Sequence, residues 1–225
     1  PHFSMCVNMD ITAFYPFVKR NGYSLTISMV YIIARASNAI PEFRQRIRGD
    51  QVVEHEIVNP GFVILIDKDL FSFCAVEHTE DFSEFARRAE KNIADVKAHP
   101  DLEGSPGKDD VLYMSPIPWV SFTSFNHPMQ LHPADSIPRF AWGKTFKEGD
   151  TLKMPLSVQG HHAVMDGIHM GRFYEKAQER LHHPEVALQA LGSHPSVQVQ
   201  RPRRLVDHGD VLGCQVGSPG ARCTA

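Results

Sequence analysis

QGHHAVMDGIHMGRFY, residues Gln159 to Tyr174, closes one structural pattern and opens another. Upstream of it, Leu152 to His161 reads as a strand; downstream, Gly167 to Leu181 reads as a helix, with Ile168, Gly171, Phe173, Tyr174 and Ala177 on one face. The junction holds His161, His162 and, four residues on, Asp166 and Gly167. Imidazole is the side chain that titrates nearest neutral pH, so a histidine held there can take a proton from a substrate hydroxyl. Glycine after the aspartate permits a tight turn and close approach of a ligand. Adjacent strand residues point to opposite faces. A metal site built from His161, His162, Asp166 and His169 is therefore disfavoured.

Working outward, Phe3, Met5, Val7, Met9 and Ile11 alternate with polar residues, the period of a half-buried strand. Thr12–Arg20 reads as a short helix, and Ser24–Ala39 as a long buried one ended by Pro41. Gln51–Val53, Phe62–Ile66 and Leu70–Val76 read as strands, with Asn59-Pro60-Gly61 as a separating turn. Asp81, three before Glu84, opens a helix reaching about Ala98, and a polar loop follows from His99 to Asp110. Trp119–Phe125 and Arg139–Phe146 are further strand candidates, with a hairpin turn at Glu148-Gly149-Asp150. Strands and helices in this irregular order predict an α/β two-layer sandwich with a mixed sheet packed by helices. The fold is expected over residues 1–181; His182–Ala225, rich in Pro, Gly and His, is expected to be a disordered or non-native tail.

A formal charge of −3 gives no reason to expect nucleic acid, and Arg201–Arg204 is read as a solvated basic run. No apolar stretch approaches a membrane span. Cys6, Cys74, Cys214 and Cys223 are scattered, which suggests reduced thiols and a cytoplasmic location. The chain opens directly in a strand pattern, so residues upstream are expected to be missing and no leader is read.

HHAVMDGIHMGRF at His161–Phe173 closely resembles the active-site signature of the chloramphenicol acetyltransferases. PWVSFTSF at Pro118–Phe125, the Met9–Arg44 segment and EGDTLKMPLSVQ at Glu148–Gln159 resemble other segments of that family in order. The resemblance implies a CoA-dependent acyltransferase fold and a homotrimer with active sites between subunits. It implies an O-acetyltransferase taking acetyl from acetyl-CoA, as co-substrate, to a primary hydroxyl of chloramphenicol or a similar amphenicol, and so antibiotic resistance. His162 would be the general base, Ser124 the donor to the tetrahedral oxyanion, and Asp166 with Gly167 structural supports. A thioester needs no metal to activate it. Phe71, Phe73, Phe122 and Phe125 are candidate apolar walls for the aromatic acceptor, a small-molecule alcohol.

Three departures stand out. The family's lead-in carries an arginine that pairs with the motif aspartate; without it Asp166 is expected to be an unpaired carboxylate. Ala141 stands where the family has a threonine, and Met165 where it has a cysteine. Two other readings follow: a non-catalytic homologue that only binds ligand, and an acyltransferase acting on dihydrolipoamide. A serine hydrolase is disfavoured by the lack of a G-x-S-x-G elbow.

Overall fold

The computed structural model describes residues 1–67, 69–100 and 107–189. The alternating opening forms β1 (His2–Asp10), and α1 (Phe14–Arg20) and α2 (Leu25–Asn38) follow. A turn of 3-10 helix at Pro41–Arg44 leads to the hairpin β2 (Gln45–Arg48) and β3 (Gln51–Glu54). Next come β4 (Asn59–Asp67), β5 (Leu70–Ala75) and α3 (Phe82–Ala98). The chain continues through β6 (Val111–Ile117), β7 (Arg139–Gly143), β8 (Phe146–Glu148) and β9 (Thr151–His161) to α4 (Gly167–His182) and α5 (Pro184–Ala187).

The main sheet runs β1-β9-β7-β6-β4-β5, with β8 paired to β9. The β4–β6 and β6–β7 pairs are parallel and the others antiparallel, so the sheet is mixed. Register aligns Phe62, Met114, Phe140 and Val158 across β4, β6, β7 and β9, and all four are buried. This row faces the helices, where Phe43, Phe140 and Phe173 lie in mutual ring contact. α2 is buried almost all round, as an apolar helix with no polar face must be. Its first turn is capped by Ser24, whose Oγ accepts from Ile27 N–H at 3.4 Å. Its end is tied to β4 by Asn38, which exchanges bonds of 2.9 Å with both backbone groups of Val58. Asp81 caps α3 by accepting from Glu84 N–H at 2.9 Å.

Several local expectations shift. Asn59-Pro60-Gly61 is no turn; it begins β4. Arg139–Phe146 is two strands, β7 and β8. The run Trp119–Phe125 alternates like a strand but forms loop, while the strand beside it, β6, went unread. The fold also continues past Leu181: Ala187 and Leu188 join the core, and Phe82 N–H reaches Gln189 carbonyl at 3.4 Å. The rest of the expected tail, with Arg201–Arg204, Cys214 and Cys223, lies outside the described residues.

β2 hides another feature. Arg46 is wholly buried, and its guanidinium donates to the carbonyls of Phe43, Gln45, Asp109 and Val111 at 2.6–3.0 Å. Four carbonyls satisfy the fork with no carboxylate touching it among the described residues, and burial pulls the group down to about 10. This clamp ties the hairpin to the start of β6. Cys6 and Cys74 are free thiols, and burial pushes Cys74 up to about 11. Among the described residues, no helix is long and apolar enough to cross a membrane.

Candidate active site

His161 ends β9 and turns inward. Its Nδ1 accepts from Ala163 N–H at 3.1 Å, its ring stands edge-on to His2, and burial holds it below the ordinary histidine range. Val164 and Met165 N–H both return to the His161 carbonyl, winding the chain into a turn before α4. His162 sits on the outside of that turn with its side chain 56% exposed. Its ring rests on Phe3, 5.1 Å between centroids, and Phe3 pairs with Gly160 on the helix side. Its Nδ1 lies 3.0 Å from Asp166 Oδ1 and 3.3 Å from the Met165 carbonyl. Both neighbours are oxygens that only accept, so in the neutral ring Nδ1 carries the proton and Nε2 keeps its lone pair.

Asp166 departs from expectation. Its side chain is 61% exposed, so no burial cost attaches to it, and it faces His162. Gly167 is the first residue of α4, and the space where a Cβ would sit is open. Neither a positive φ nor crowding demands glycine there.

Ser124 belongs to the long connection between β6 and β7, on the face opposite the helices. That connection is fastened by side chains. Ser157 Oγ donates to the Phe125 carbonyl at 2.8 Å, and Ser4 Oγ to Asn126 at 2.5 Å. Gln159 accepts from His127 N–H at 2.7 Å and donates to the His127 carbonyl at 3.3 Å, pairing with backbone as a neighbouring strand would. At Gly143 the loop comes so close that a Cβ would lie 2.8 Å from the Val120 carbonyl and 2.9 Å from the Phe122 ring. Ser124 itself is exposed.

A cavity of about 450 Å³ opens on this same face. Phe71 and Phe73 line it from β5, Tyr113 and Ser115 from β6, His127 from the loop and Arg139 from β7. Arg139 pairs with Asp135, donates to the Pro128 carbonyl at 2.8 Å and lies over the Tyr113 ring. Burial, with the Arg139 charge, takes His127 down to about 4, so its ring is neutral; its Nε2 is 3.3 Å from Ser115 Oγ. Phe125 does not line the cavity; it packs between Phe122 and His127. Ala141 is buried on this face in register with Ser115 and Ser157.

The structure therefore brings Phe71 and Phe73 together, and His162 with Asp166. It does not bring His162 to the cavity, and among the described residues no hydrogen bond joins His162 to Ser124. Gln159, Ser157 and His127 were not singled out from sequence. The available signal was polar residues on inward positions of β9, which a strand directed only by burial would not carry.

Residues 1–178 match the family described as chloramphenicol acetyltransferase. The chain belongs to the chloramphenicol acetyltransferase family. The enzyme of that name from Proteus mirabilis is 36% identical over 180 residues, covering 79% of this chain and 82% of its own. A solved chloramphenicol acetyltransferase structure superposes with a TM-score of 0.72 at 26% identity, over 80% of this chain and 88% of that one. The dihydrolipoamide acetyltransferase of Azotobacter vinelandii matches at a TM-score of 0.64 and 18% identity over 84% of each chain, a likeness of fold alone. Family membership makes this chain an acyltransferase.

Proposed function

We propose that this chloramphenicol acetyltransferase family member transfers the acetyl group of acetyl-CoA to a primary hydroxyl of chloramphenicol or a closely similar amphenicol. The observation that carries the reading is the His162 imidazole: exposed, with Nδ1 occupied by acceptors and Nε2 left with a lone pair. Nε2 takes the hydroxyl proton as the alcohol oxygen attacks the thioester carbonyl carbon. The negative charge then gathers on the former carbonyl oxygen, where the Ser124 hydroxyl donates to it. The C–S bond breaks, the imidazolium returns its proton to the sulfur, and the acetyl ester and CoA leave. Neither Asp166 nor His161 moves a proton in this scheme; Asp166 holds His162 in the tautomer that the step needs.

Phe71 and Phe73, with Tyr113, offer aromatic walls to the acceptor's ring. The cavity is on the loop side of the sheet, while His162 rests on the helix side of β1. A site completed between copies, with His162 from one and the cavity and Ser124 from the next, joins these halves. A homotrimer is the assembly proposed, and it accounts for a catalytic histidine left on the outside of its own subunit.

The test is acetyl transfer from acetyl-CoA to chloramphenicol, followed as free thiol, in the wild type and His162→Ala. Release that needs both the acceptor and His162 is the expected result. A folded protein that binds chloramphenicol yet releases no thiol would replace this reading with a ligand-binding homologue.

A further inference from the structure

Glu42 lies on the turn Pro41–Arg44 after α2, beside the buried Phe43, and its Oε2 is buried with no hydrogen-bond partner among the described residues. A carboxylate so placed is costly unless a neighbour uses its charge. The group facing it is His169 of α4, whose Nε2 lies 3.4 Å from Glu42 Oε1. The other ring nitrogen of His169, Nδ1, accepts from Asp166 N–H at 2.9 Å. A nitrogen that accepts carries no proton, so the neutral His169 ring keeps its proton on Nε2, toward Glu42. His169 also donates its own backbone N–H to the Asp166 carbonyl at 3.0 Å. One histidine thus grips both backbone groups of the residue that opens α4.

The Asp166 carboxylate is exposed and forms a reciprocal capping box with His169 at the start of α4, so His169 bears on its direction. Asp166 Oδ1 in turn stands 3.0 Å from His162 Nδ1. We propose that His169, oriented by Glu42, is a positioning residue for His162, acting through Asp166 to keep the His162 proton on Nδ1. This inference rests on the reading of His162 as the base. His169 touches no reacting atom; its effect is geometric, and misplacement of a reacting group by about 1 Å costs on the order of 100-fold in rate.

Replacing His169 by Asn keeps an acceptor where Nδ1 was, and replacing it by Gln does not. His169→Gln is expected to lower kcat by about 10- to 100-fold with both KM values within about twofold. His169→Asn should recover most of that loss, and Glu42→Gln, which keeps shape and removes charge, should give a smaller fall in kcat. Nitrogen NMR of the His162 ring, assigned by its loss in His162→Ala, gives a readout apart from turnover. The wild type and His169→Asn should show the Nδ1–H form, and His169→Gln a mixture of tautomers. An unchanged tautomer and kcat in His169→Gln would overturn the inference, as would an Asn variant as impaired as the Gln variant. Should either His169 variant fail to fold, Glu42→Gln carries the test: an unchanged kcat and ring signal there removes Glu42 from the line. If His162→Ala turns over as fast as wild type, the base assignment fails, and the ring signals alone then decide whether His169 sets the tautomer.

Discussion

On the helix side of the sheet, Phe43, Phe140 and Phe173 pack with centroids 5.1–6.1 Å apart, inside a continuous apolar core. On the other side, the connection that carries Ser124 is fastened by directed bonds, from the side chains of Ser4, Ser157, Gln159 and Arg139 and from Lys144 N–H to the Val120 carbonyl at 2.8 Å, and by a close approach at Gly143. The first arrangement is redundant and sensitive to volume; the second depends on individual atoms and directions. Bulk stability is therefore concentrated on one face and the placement of Ser124 on the other, and a single polar substitution on the loop side is expected to displace Ser124 without unfolding the chain.

The sharpest way to break this division is to mix copies. His162→Ala removes a helix-side group and should cost about 10²–10⁴ in kcat/KM. Ser124→Ala removes a loop-side donor and should cost about 10²–10³, with no loss of stability because Ser124 is exposed. If the two faces meet across copies of a trimer, unfolding and refolding the two inactive variants together should restore about a quarter of wild-type thiol release, since half of each contributing group is intact. No recovery would place both groups in one copy.

Next in size is Phe140→Ala, which should lower unfolding free energy by about 3–5 kcal/mol in urea while leaving kcat little changed below the transition. Gln159→Leu should do the reverse. It strands the His127 backbone groups, costing about 1–3 kcal/mol, and its larger effect should be on turnover, because the Ser124 loop loses its pairing. A Gln159→Leu enzyme with full kcat would show that the loop holds itself.

The smallest expected effect is on pH. His127 is held down to about 4 against an ordinary 6.5, so between those values the unfolded chain binds the extra proton. Its contribution is complete above about pH 6.5 and is lost as pH falls toward 4, roughly 2 kcal/mol after allowance for partial exposure. His127→Leu should flatten that part of the profile in urea unfolding at pH 7 and pH 4.5.

Most elements of the helix side were legible because burial leaves a period. α2, α3, α4 and β9 follow their apolar spacing, and Ser24 and Asp81 mark two starts. β2 was hidden because its buried residue is an arginine, whose satisfaction by four carbonyls leaves no apolar trace. β6 was hidden by Pro116, which sits in register with Trp142, while the alternating Trp119–Phe125 imitated the strand that β6 forms. Of the site, His162 and Ser124 stood out through motif resemblance. Of the cavity, Phe71 and Phe73 were read as apolar walls, while Tyr113, Ser115, His127 and Arg139 were not, because they come from strands and a loop distant in sequence. The Glu42–His169 contact joins a turn and a helix 127 residues apart, and nothing local announces it.

Gly160 and Met165 have a consequence for how this sequence can change. A Cβ on Gly160 would fall 2.1 Å from the Met165 sulfur, so a larger residue enters at 160 only if the buried Met165 side chain swings aside. A smaller residue at 165 alone leaves a hole beside the turn that presents His162. Each single step leads downhill, yet an exchange of volume between the two positions keeps the sum constant. The two positions are coupled through a shared volume, and a double substitution relieves what each single change costs. Libraries that vary one position at a time will report both residues as less tolerant than they are in combination.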